Sequence, residues 1–120
     1  MNSPIKKFDE NKEYYFQEGC YIVEVSNSEE DPDVSIVRAR VEPSQSTRWH
    51  HLVDTTERYV ELEGTGLVEI GDGEATEVMV GDVVIIPSNT RQRITNTGNG
   101  DLKFLAICTP RFDPSNYRQD

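Results

Sequence analysis

The chain has 120 residues, a formal charge of −10 from 22 acidic and 12 basic side chains, and an apolar fraction of 35%. A length like this makes one small domain, and its acidic field repels the phosphate backbones that clustered Lys and Arg would hold, which sets nucleic acid and anionic membranes aside as partners. No run approaches the ~18 consecutive apolar residues of a membrane span, and a domain this short buries only about two-thirds of the surface its unfolded chain exposes, which favours a thin sandwich or barrel that gains burial by oligomerising.

Residues 1–13 are polar and read as an arm; Lys6 and Lys7 have no apolar run behind them and so do not open a secretory signal. Cys20 and Cys108 lie far apart, each inside an apolar run, and read as two free thiols in a reducing cytoplasm rather than as a disulfide. Short runs rich in Val, Ile, Tyr and Thr predict strands over 20–25, 34–42, 47–52, 57–63, 66–70, 75–79, 83–87, 91–96 and 102–109. The acidic segment 26–33 reads as a solvated loop, without the spacing or central Gly of an EF-hand. Turn chemistry separates the later strands at Gly64-Thr65-Gly66, Gly71-Asp72-Gly73, Gly81-Asp82, Pro87-Ser88-Asn89 and Asn96 to Gly100. The first of these predicts a hairpin spanning Glu57 to Ile70. No long window keeps a helical period. The expectation is an all-β, antiparallel sandwich or barrel.

Alternate residues of a strand share a face. Parity therefore groups Arg48, His50 and Leu52 against Trp49 and His51. It also groups Glu57, Tyr59 and Glu61, and separately Gln92, Ile94 and Asn96. The run Val83-Val84-Ile85-Ile86 is apolar on both faces, which predicts a strand covered on both sides and, with the small core, a homodimer. The segment Pro110-Arg111-Phe112 is expected to reach toward the partner.

Trp49-His50-His51-Leu52, followed by Glu57 and Gly64, resembles the first motif of the cupin family, in which two histidines one residue apart precede a Glu and a Gly. Gly81-Asp82-Val83-Val84-Ile85-Ile86-Pro87, continuing through Gln92 to Asn96, resembles the second, Gly then Pro then His then Asn. The flanks Leu62-Glu63-Gly64-Thr65-Gly66 and Asn96-Thr97-Gly98 fit too. The resemblance spans about residues 34–109. It implies a double-stranded β-helix, or jelly-roll barrel, with an arm and first strands at 1–33, the barrel core at 34–109 and a tail at 110–120, in one domain. It also implies inward motif side chains that often hold a divalent metal. Carried over by position, His50 and Glu57 match metal ligands, the second histidine falls on Leu52, the last on Gln92, and Asn89 stands where the second motif has Gly.

An imidazole, a carboxylate and an amide oxygen on converging faces form a mixed set suited to Zn, Ni, Fe or Mn, with water completing the shell. On this reading His50, Glu57 and Gln92 hold one divalent transition metal, and the protein acts on or senses a small polar molecule, sugar- or acid-like. If it is an enzyme, the chemistry is of a metal-dependent isomerase, lyase or dioxygenase type, with His50, Glu57 and Tyr59 as catalytic candidates. The alternative is a metal-free cupin that binds a small molecule or regulates without turnover. There His50 is a satisfied interior histidine bonded to Glu57, and Gln92 is a hydrogen-bond partner that orders the barrel.

Overall fold

The computed structural model describes residues 3–120. The strands are β1 (Tyr14–Phe16), β2 (Cys20–Ser26), β3 (Ser35–Val41), β4 (His50–Leu52), β5 (Thr56–Glu63), β6 (Thr65–Ile70), β7 (Thr76–Met79), β8 (Val83–Ile86), β9 (Gln92–Asn96), β10 (Leu102–Thr109) and β11 (Tyr117–Gln119). Two antiparallel sheets form, in the orders β1-β2-β3-β10-β5-β8 and β11-β4-β9-β6-β7. This is the jelly-roll barrel the motifs imply. Helix is confined to two three-residue 3-10 turns, Glu10–Lys12 and Pro114–Asn116, so among the described residues no helix is long and apolar enough to cross a membrane.

The core draws inward residues from both sheets. Tyr59, Phe104, Leu102, Val41 and Ile86 come from the first sheet, and Val68, Val78 and Ile94 from the second. Strand β10 sits centrally, hydrogen-bonded to β3 on one side and β5 on the other. Its alternation of buried and half-buried residues over Leu102–Thr109 is the period-2 pattern of a strand with one face in the core. Each large apolar side chain buried this way contributes about 1.5–3 kcal/mol. Truncating Phe104, 1% exposed at the centre, is expected to cost about 3–5 kcal/mol.

One expectation is corrected: β5 and β6 do not form a hairpin, since β5 pairs with β10 and β8 while β6 pairs with β7 and β9. Gly64, with φ +83°, is the corner at which the chain changes sheets, and a Cβ there would meet the Asp101 carbonyl oxygen at 2.7 Å. Within the single chain β8 is an edge strand with one face in the core; Val84 and Ile86 are buried, while Val83 and Ile85 are 58% and 64% exposed. Phe112 packs against Phe16 of its own chain, with ring centroids 6.3 Å apart, and β11 then pairs with β4. The short strands β1 and β11 escape sequence reading because each has only three residues, too few for a period to register.

On the outer wall, Trp49 lies between two guanidiniums, Arg91 at 4.2 Å and Arg93 at 4.6 Å from its ring centroid. Asn89, at the position of the family's Gly, has φ 61°, the left-handed region that Asn tolerates better than most residues. Its side-chain oxygen accepts from the Asp54 backbone N–H at 3.0 Å, which ties the β8–β9 turn to the β4–β5 turn.

Candidate functional site

One end of the barrel gathers His50 at the start of β4, Glu57 and Tyr59 on β5, and Gln92 at the start of β9. The register places His50 directly opposite Gln92. Parity puts Glu57 and Tyr59 on the inward face of β5, and pairs them across to Cys108 and Ala106 on β10. The four sequence-derived site residues are thus brought together.

They form a hydrogen-bond chain. The Tyr59 hydroxyl donates to Gln92 Oε1, and Gln92 Nε2 donates to Glu57 Oε1 at 2.7 Å. In this orientation the amide accepts from Tyr59 and donates to Glu57. His50, 1% exposed, bonds not to Glu57 but to Glu18, with Nε2 3.0 Å from Oε1. Its Nδ1 lies 2.6 Å from the Arg48 carbonyl oxygen, which only accepts, so Nδ1 carries a proton. Tyr117 of β11 stacks on the imidazole, centroids 5.3 Å apart and planes 22° apart.

Glu18 went unrecognised in the sequence. It sits in the tight turn between β1 and β2, closed by the Gly19 N–H to the Phe16 carbonyl at 2.9 Å, with Gly19 at φ +103°. The one local signal is the glycine. The pairing with His50 is a product of sheet topology, which no local pattern encodes. Cys20 and Cys108 complete the polar wall, with Cys20 Sγ 3.6 Å from Glu18 Oε2 and Cys108 Sγ 3.8 Å from Glu57 Oε2.

Electrostatics follow from burial. Glu57 is pushed up to about 7, first by loss of water and then by the Glu18 charge, against the pull of His50 and the bonds from Gln92 and Cys108. Burial and the Glu57 charge hold the Tyr59 phenol well above its ordinary value, so it remains a donor. Both thiols are raised by burial and by their carboxylate neighbours, Glu18 for Cys20 and Glu57 for Cys108. They stay protonated and are not nucleophiles.

A cavity opens here, about 50 Å³ in the space available to water centres. Glu18, Glu57 and Cys20 line one side; Ile22, Val37 and Phe104 are among the apolar residues opposite.

The donor set does not fit the metal that the fold family often holds. Gln92 turns its lone-pair oxygen to Tyr59 and presents N–H toward Glu57. His50 Nε2 is engaged by Glu18. Leu52, at the second histidine's position, packs against Cys108 and Tyr117 and offers no donor. Among the described residues no group of three or more His, Cys, Asp or Glu side chains is placed to hold a metal ion. No step is therefore derived through one.

Residues 37–108 match the Cupin domain family. The chain is similar to the uncharacterized protein MJ1618 of Methanocaldococcus jannaschii, 33% identical over 108 residues that cover 88% of this chain and 86% of that one. Among solved structures it resembles Pac13, a nucleoside dehydratase studied from Streptomyces, with a TM-score of 0.77, 19% identity, and coverage of 95% of this chain and 89% of that one. It also resembles KdgF from Halomonas sp., with a TM-score of 0.77, 18% identity, and coverage of 90% and 97%. At these identities the two structures speak for the fold.

Proposed function

Because the chain belongs to the cupin family, we propose that it is a metal-free member that binds a small polar molecule in the cavity beside Glu18 and Glu57. The observation that carries this reading is the chain Tyr59–Gln92–Glu57. It turns the amide oxygen that a metal would use toward the Tyr59 hydroxyl and presents the amide N–H to Glu57. The cavity is left with three carboxylates on its wall and an apolar frame around them, the usual makeup of a small-ligand pocket with few, well-placed polar groups. The free buried thiols Cys20 and Cys108 suit a reducing compartment such as the cytoplasm.

The test is elemental analysis of the purified chain together with a thermal-shift screen of uncharged, cationic and anionic metabolites. Substoichiometric metal and a ligand-dependent rise in Tm support the reading. Stoichiometric metal, lost on His50→Ala, overturns it.

A second reading adds turnover. A carboxyl that exchanges its proton near neutral pH can act as general acid or base, and Glu57 has that property. Isomerase- or lyase-type proton transfer by Glu57, with His50 and Tyr59 around it, is compatible with the same pocket. It is tested by product formation that Glu57→Gln abolishes while ligand binding persists.

A further inference from the structure

The charge of the cavity's occupant can be argued from its walls, on the premise of the preceding section that the cavity binds a ligand. Three carboxylates line it, Glu18, Glu24 and Glu57, and among the described residues no Lys or Arg does. Acceptor capacity exceeds supply. An ionised carboxylate offers about four lone-pair sites, yet Glu57 receives one amide N–H and one distant thiol. Glu18 receives the His50 contact and one thiol. Glu24 accepts from the Tyr14 hydroxyl at 3.1 Å. The remaining wall is apolar and aromatic, with Phe16, Phe104 and Phe112.

We propose that the cavity selects a small organic cation, an ammonium group on a short apolar stem. The ammonium supplies donors to Glu18 and Glu57, and the stem lies on the phenyl rings, whose faces attract positive charge. An anion would meet the carboxyls of Glu18, Glu24 and Glu57 with no Lys or Arg on the wall to receive it. An alcohol would satisfy fewer acceptors and leave the carboxylates' repulsion in place. Desolvation and mutual repulsion hold Glu57 partly protonated in the free protein, and a cation between the carboxylates favours its ionised form.

The test uses three probes of near-equal size and different charge: propylammonium, 1-propanol and propionate. Each is titrated at matched ionic strength into the full chain at about pH 7.5 and again at about pH 9, where ionised Glu57 is favoured, with backbone amide spectra as the readout. The expected result is saturable shifts at Cys20, Tyr59 and Ala106 with propylammonium, about tenfold or more tighter than with 1-propanol, and none with propionate. Glu57→Gln is expected to weaken propylammonium about tenfold and to leave 1-propanol unchanged. Equal binding of the alcohol, or binding of propionate, overturns the charge selection but keeps the cavity as a ligand site. No saturable shift at those residues with any probe overturns both. If Glu57→Gln fails to fold, the three-probe comparison on the unaltered chain still decides.

Discussion

Glu18 reaches from the β1–β2 turn to His50 at the start of β4, with 3.0 Å between Oε1 and Nε2, and so ties the edge of one sheet to the inner strand of the other. The imidazole is held from both nitrogens and capped by Tyr117. Its ring orientation is fixed before any ligand arrives.

Glu18→Ala breaks this link and strands a buried imidazole. The Glu18 side chain keeps 15% of its surface, so water compensates in part. A loss of about 2 kcal/mol is expected. Urea unfolding at neutral pH measures it, and an unchanged midpoint would show that the pair has no structural weight.

Stability should depend on pH through two carboxyls. Glu57 and Glu61 are each pushed up to about 7 from an ordinary 4.5, chiefly by burial, with Glu18 adding for the first and Asp82 for the second. Glu61 is 1% exposed and neither of its oxygens has a partner. A carboxyl raised in the fold keeps its proton where the unfolded chain has already lost it. The associated stability is therefore fully present below pH 4.5, is lost as pH climbs, and levels off above about 7. The fall is on the order of 1–3 kcal/mol. Glu61→Leu is expected to flatten part of that slope and raise Tm at alkaline pH; a parallel profile would remove Glu61 from the account.

Metal binding should be recoverable by restoring the family's ligands. Leu52→His with Gln92→His frees the site from the Tyr59 bond and supplies two imidazoles beside His50 and Glu57. The double variant is expected to take up one Zn or Ni per chain, read by elemental mass spectrometry, while the unaltered chain stays substoichiometric. Equal metal content in both would refute the hydrogen-bond lock.

A homodimer is expected through β8. Its outer edge has no strand partner, its exposed face carries Val83 and Ile85, and Leu62, Met79 and Val80 are exposed nearby in sequence or pairing. Natural sheet edges of this kind are usually covered or charged. Light scattering should report twice the 13.7 kDa chain mass, and Ile85→Lys should halve it. A monomer before substitution would sink the idea.

Most strands from β2 to β10 were legible through alternation and the turn residues at their ends; parity grouped His50 with Leu52 and Glu57 with Tyr59, and the motif resemblance turned them inward. Strand partners were not legible. The glycine corner at Gly64 looks like a hairpin locally, and only the pairing of β5 with β10 and β8 shows that it changes sheets. The two-sided apolarity of β8 was visible, but not which face water would meet. Glu18 and Tyr117 stayed hidden because their roles depend on contacts between distant segments, made by strands too short to declare themselves.

The chain contains one tryptophan, and it precedes His50 on the strand that carries the imidazole. Trp49 is held between Arg91 and Arg93, which flank Gln92. Excited beyond the absorption of its five tyrosines, the chain therefore emits from a single indole that sits at the head of β4 against the arginines around the start of β9. Any displacement of His50 relative to Gln92 changes how the two guanidiniums cover the ring. Emission at red-edge excitation then becomes an optical reading of pocket geometry that needs no label.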